Sequence, residues 1–141
     1  MLISIPSILS PDLLKILMEM GHGDEIVFAD GNFPAAGMAK RITRLDGHGI
    51  PAILSAVIPL FPLDSFVESP VAFMAVSAGV DYDPVIQAEY REIICTHAGE
   101  TGIEMMERFA FYERAKQAYA IVATGEGARY ANIILKKGVV V

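Results

Sequence analysis

Apolar positions along the chain fall into short runs of two kinds, punctuated by glycine and proline. From Pro11 to Met20, leucine, isoleucine and methionine recur at helical spacing, as on one buried helix face. Ser10 stands at the N-cap position, Pro11 at the first helical position and Gly21 at the stop, so a helix is predicted here. Asp24 to Asp30 (DEIVFAD) is a continuous apolar run between acidic ends and reads as a short buried strand. A Gly31-Asn32 turn and Pro34 follow, and Pro34 to Arg41 can begin another helix.

Gly47, Gly49 and Pro51 break the pattern before Ala52 to Val57, which is predicted helical and stopped at Pro59. Val71 to Ser77 reads as a strand. Asp83 is placed to cap a helix with Pro84 at its first position, running to about Cys95. Arg108 to Gln117 reads as a helix, and Tyr119 to Thr124 and Asn132 to Lys136 as strands. Strands alternating with helices predict an α/β layer fold. No linker, repeat or long charge run divides the 141 residues, about one domain's length, so 1–141 is read as a single domain.

Composition sharpens this picture. Hydrophobic residues make up 53% and charged residues 20%, with a mean hydropathy of +0.44. Disorder is excluded, because it requires too little apolar surface to offset chain entropy. The surplus predicts burial between subunits. Eleven Lys and Arg against seventeen Asp and Glu leave a net charge of −6. That sign opposes nucleic acid, whose affinity comes from cations neutralising phosphates, and equally an anionic membrane surface. Asp12 precedes the first cation, Lys15, the reverse of a secretory signal. Pro51 to Leu63 is too short and too broken by proline to span a bilayer. A soluble, cytoplasmic protein binding a neutral or cationic small molecule is expected. Cys95 is the only cysteine, so no intramolecular disulfide can form.

His22 lies between two glycines before a strand, where an imidazole can either cap the helix or move a proton near neutral pH. Asp30 closes the DEIVFAD strand, the end where α/β folds gather ligands, although an Asp-Gly pair also simply makes turns. The two flank opposite ends of one strand, so a shared site calls for a second subunit. Asp64 follows the Pro59–Pro62 break and is expected in an ordered, nearly buried loop. Arg108 and Tyr112, at i and i+4, share a helix face and offer fixed donors to a polyhydroxylated ligand. The bland alternatives are an ion pair of Arg108 with Glu104 and core packing of Tyr112.

TGEGARYAN fails as a phosphate loop, having Tyr130 where a Rossmann glycine belongs and no Gly-Lys-Ser/Thr. It reads as a tight turn between two strands that presents Tyr130 and Asn132. His22, His48, Cys95 and His97 have no metal-site spacing. EIICTH looks like a buried helix end rather than the setting of a nucleophile, and no G-x-S-x-G elbow is present.

MGHGDEIVFAD-x-NFPA, PLDSFVESP, ERFAFYERAK and ATGEGARYANIILKKGV, in this order between Leu9 and Val139, resemble the L-fucose mutarotase / D-ribose pyranase family, and its fucose branch most. The resemblance implies a compact α/β fold forming homo-oligomers, decameric rings in bacterial members, with sites at subunit interfaces. It implies His22 as proton donor, Asp64 and Tyr112 at catalytic positions, and Asp30, Met74, Arg108, Tyr130 and Asn132 against the sugar. Two departures stand out. Ala131 replaces the usual glycine between Tyr130 and Asn132, adding a methyl beside the sugar pocket, and Gly31 replaces a larger residue, loosening that turn.

Mutarotation needs a proton at the ring oxygen and loss of one from the anomeric hydroxyl, so one acid and one base suffice without metal or nucleotide cofactor. The expected activity is anomer exchange of L-fucose or a related monosaccharide. A pyranase for ribose-like sugars and a non-catalytic sugar-binding protein stand as alternatives.

Overall fold

A strand that is apolar on both faces is stable only where helices cover both sides of its sheet. The computed structural model describes residues 1–141 and builds that arrangement. In chain order its elements are α1 (Pro11–Glu19), β1 (Glu25–Ala29), α2 (Ala35–Met38), β2 (Ile42–Leu45), α3 (Ile50–Val57), β3 (Val71–Met74), α4 (Val85–Ala98), β4 (Ile103–Met106), α5 (Arg108–Gln117), β5 (Ala120–Thr124) and β6 (Ile133–Lys136). A 3₁₀ turn, Ile58–Leu60, extends α3. No helix is long and apolar enough to cross a membrane.

The strands form one sheet in the order β2-β5-β1-β6-β3-β4. Every neighbouring pair is parallel except those of β6, which runs antiparallel between β1 and β3. Five strands therefore end at one edge of the sheet, where β6 begins. Alternating residues feed two cores. Ile26, Phe28, Phe73, Val122 and Ile133 pack with Leu13 of α1, Ile53 of α3 and Tyr90 and Ile94 of α4. Val27, Met74, Ile121 and Ile134 pack with Ala35 of α2 and Phe111 and Ala115 of α5. The first core holds 24 buried residues and the second 12, so α2 and α5 cover their face thinly.

The α/β layers, and the first helix with its Ser10 cap (Oγ accepting from the Leu13 N–H at 3.2 Å), follow the sequence reading. Other boundaries shift for local reasons. The helix expected from Pro34 to Arg41 is one turn, because Ala39 is already extended and leads into an unforeseen strand, β2. Pro51 does not break α3 but sits in its first turn, where its missing N–H costs nothing. Asp83 does not cap α4; Pro84 occupies that position without a side-chain bond, and the helix runs three residues past Cys95 to Ala98. β3 stops at Met74 rather than Ser77. Strand β4 was also unforeseen. It is an edge strand with two exposed positions and lacks a continuous apolar run. TGEGARYAN does not make a tight turn between neighbouring strands, since β1 lies between β5 and β6. Cys95 is exposed rather than buried.

One close approach fixes that last loop. Gly125 donates its N–H to the His48 carbonyl at 3.0 Å, and a Cβ there would meet the Asp46 carbonyl oxygen at 2.0 Å. Gly125→Ala is expected to cost about 3 kcal/mol, at the upper end of overpacking. Gly37→Ala, with nothing within 4 Å of the added carbon, is expected to gain up to ~1 kcal/mol from helix propensity. Thermal denaturation of the two variants checks the contrast.

Candidate active site

The edge where the parallel strands end gathers polar groups over the start of β6. Asp30, just past β1, is 7% exposed. Its N–H donates to Asn132 Oδ1 at 2.7 Å, and Asn132 Nδ2 donates to Asp30 Oδ2 at 3.1 Å. The reversed strand β6 is what brings these residues together across 102 positions. The Asn32 N–H donates to Asp30 Oδ1 at 3.0 Å and the Gly31 N–H to the Glu126 carbonyl at 2.8 Å, so the turn after β1 is tied down. Met74 at the end of β3, Arg108 and Tyr112 on the first two turns of α5, and Tyr130 complete a cleft of about 250 Å³ with Asn32, Phe33 and Arg129.

Burial raises the Asp30 carboxyl above the ordinary aspartate range, outweighing the hydrogen bonds it accepts from the Asn32 N–H and the Asn132 amide. The Tyr130 hydroxyl accepts from the Ser77 N–H at 3.4 Å, and contact with Ser77, aided by the nearby Arg129 and Arg108, lowers its pKa. Phe33 sets its ring edge-on to Tyr112 at 5.4 Å, holding the phenol in the cleft wall. Arg108 and Arg129 take part in no ion pair, and Glu104, the partner considered for Arg108, binds Arg114 at 2.9 Å instead.

His22 lies at the other edge, in the turn before β1. There its Nε2 is 3.1 Å from Asp64 Oδ1. Asp64 is 4% exposed, tied through its N–H to the Lys136 carbonyl at the end of β6, and its Oδ1 accepts from the Phe66 N–H at 3.0 Å. That bond first, and His22 second among the stabilising partners, holds the Asp64 carboxyl below the ordinary range. Hydrogen bonding to an ionised Asp64 places the proton on Nε2 and leaves Nδ1 without a partner in the chain. The imidazole is half exposed, and the exposed ring of Phe66 lies 5.3 Å from it.

Six of the eight residues singled out from the sequence thus share one cleft, and His22 with Asp64 forms a pair at the opposite edge. The five residues of β1 separate them, about 15 Å at the rise of a strand and farther than one monosaccharide reaches. Ala131 does not add a methyl to the cleft: it is fully buried in the larger core. Nor does Gly31 loosen its turn, given the bonds above. Arg129, Phe33 and Asn32 were not foreseen as lining residues. Asn32 and Phe33 adjoin Asp30, and Arg129 adjoins Tyr130, so adjacency was the available signal.

A buried carboxylate–amide pair, phenols and unpaired guanidiniums converging on a small cleft give this α/β protein the mixed donors and acceptors that a polyhydroxylated ligand calls for. The chain belongs to the RbsD / FucU transport protein family, whose sequence profile matches residues 3–140. It is 49% identical to an L-fucose mutarotase of Histophilus somni strain 2336 over 140 residues, 99% of this chain and 97% of that protein. The structure of the fucose mutarotase from Streptococcus pneumoniae in complex with L-fucose superposes with a TM-score of 0.95 at 55% identity, covering 99% of this chain and 100% of that one. RbsD of Bacillus subtilis complexed with D-ribose is more distant, with a TM-score of 0.71 at 28% identity over 94% of this chain and 95% of that one.

Proposed function

We propose that the protein is a sugar mutarotase, a cofactor-independent isomerase exchanging the α and β anomers of L-fucose or a closely related monosaccharide. The observation that carries this reading is a buried-carboxylate–histidine pair and a hydroxyl-binding cleft within a chain that matches L-fucose mutarotases end to end. Asp30 and Asn132 accept from and donate to ring hydroxyls, and Arg108 adds fixed donors. Protonated His22 gives its Nδ1 proton to the ring oxygen. The anomeric hydroxyl gives its proton to the Tyr112 oxygen as that phenol passes its own proton on to solvent at the open cleft, and ring closure reverses both transfers. Asp64, buried and already bonded to His22, orients the imidazole. The opened aldehyde rotates about C1–C2 and recloses on its other face.

The two half-sites meet when the His22 edge of one copy docks on the cleft of another. Support comes from the length of β1 between them, the thin cover over the α5 face, and two exposed rings. Phe66 beside His22 is 73% exposed, and Phe109 beside Tyr112 is 62% exposed.

Exchange NMR on equilibrated L-fucose, repeated with D-ribose, tests the function. Anomer cross-peaks that appear with catalytic protein and are faster for fucose are expected; faster pyranose–furanose exchange of ribose would select the pyranase reading, and binding without exchange a sugar-binding protein. A pH profile adds a second check. Asp30, raised by burial, takes up its proton before Asp64 as the pH falls. KM is therefore expected to rise on the acid side with a midpoint above the ordinary 3.8 of aspartate. The stability contributed by Asp64 is complete above that value and lost only as the pH falls through its lower folded pKa.

A further inference from the structure

Helix α4 packs in the larger core, yet one of its side chains reaches the backbone of the cleft. Gln87 is 6% exposed. Its Nε2 donates to the Met74 carbonyl at 2.8 Å and to the Tyr130 carbonyl at 3.0 Å. A primary amide has two N–H donors, and here both go to cleft residues, one ending β3 and one preceding β6. One turn further along α4, the hydroxyl of fully buried Tyr90 donates to the Ala131 carbonyl at 2.9 Å.

The restrained residue is unusual. Tyr130 has a φ of 56°, and Ser4 near the N-terminus is the only other non-glycine residue with positive φ. A tyrosine keeps a left-handed backbone only where its surroundings impose it. The Ser77 N–H and the Tyr82 ring, 5.8 Å from the Tyr130 ring, touch the side chain. The bond from Gln87 falls on the peptide that follows Tyr130, two residues before Asn132.

We propose that Gln87 is a positioning residue for the ligand cleft: its amide clamps the ends of β3 and of the 125–132 loop, fixing Tyr130 in its left-handed turn and with it the Tyr130 phenol and the Asn132 amide. The proposal rests on the reading of this cleft as the sugar-binding half of a mutarotase. Gln87 touches no ligand itself, so its removal acts on binding of ground and transition states alike.

Gln87→Met keeps the side-chain length and removes both donors. In NMR exchange assays with L-fucose, KM is expected to rise about tenfold with kcat within about threefold of wild type. Gln87→Asn, one methylene shorter and better tolerated by the core, is expected to fall between them and serves if the methionine variant does not fold. A merely structural glutamine would carry the same penalty in any background. With Tyr130→Gly, whose backbone takes the left-handed turn unaided, the effect of Gln87→Met on KM is expected to shrink below about twofold. An unchanged KM in both Gln87 variants, or an undiminished penalty beside Tyr130→Gly, would overturn the proposal. Calorimetric titration with L-fucose reads the same contrast as Kd without turnover. An inert wild type that still binds fucose overturns the enzymatic reading alone, whereas equal Kd for wild type and Gln87→Met overturns the positioning role.

Discussion

Replacing His22 with alanine is expected to abolish enzymatic anomer exchange, a fall in kcat of about 10²–10⁴-fold for loss of a positioned acid, while the melting temperature barely moves. The fold is spared because backbone bonds hold the turn. The Gly23 N–H donates to the Lys137 carbonyl at 2.8 Å, the Asp24 N–H to Gly21 at 3.2 Å, and the Gly21 N–H to Asp24 Oδ2 at 2.8 Å. Gly23 itself takes the positive φ of 87°. The half-exposed imidazole contributes only its bond to Asp64 and its contact with Phe66. Asp64→Asn, by contrast, keeps the shape and removes the charge that selects the Nε2–H tautomer. It is expected to lower kcat less than His22→Ala does. Exchange rates and melting curves of both variants decide the matter, and a full rate in His22→Ala would remove His22 from the mechanism.

What the sequence disclosed, and what it hid, divides by the range of the interaction. Ser10 and Pro11 mark a helix start through bonds three residues away, and DEIVFAD marks a strand through its own apolarity; both were legible. β2 and β4 were not, because edge strands with alternating or exposed positions carry a weak pattern and owe their existence to parallel partners far along the chain. The same holds in the site. Asp30 and Asn132 were each nameable, but their mutual bond depends on β6 inserting between β1 and β3. The placing of Asp64 against His22, across 42 residues, likewise follows from the end of β6 rather than from any local spacing. Gln87 left no signal at all, since one glutamine on a helix becomes meaningful only when both carbonyls it bridges are in place.

A mixture of two inactive variants is expected to recover about one quarter of wild-type exchange. His22→Ala destroys the histidine edge and leaves the cleft whole. Asp30→Ala destroys the cleft, whose Asn132 amide loses its acceptor, and leaves the histidine edge whole. When subunits of both kinds are co-refolded in equal amounts and pair at random, about one in four edge–cleft contacts joins two intact halves. A site contained in one chain would recover nothing, because every chain then carries a lesion. The geometry favours recovery: β1 holds His22 and Asp30 apart within a chain by its own length, and no side-chain rearrangement shortens a strand locked on both sides by β5 and β6. Separate preparations mixed without unfolding provide the internal control, since subunits that do not exchange cannot form mixed contacts. Recovery after co-refolding and none after simple mixing would locate each active site between two copies, and zero recovery in both would place it within one.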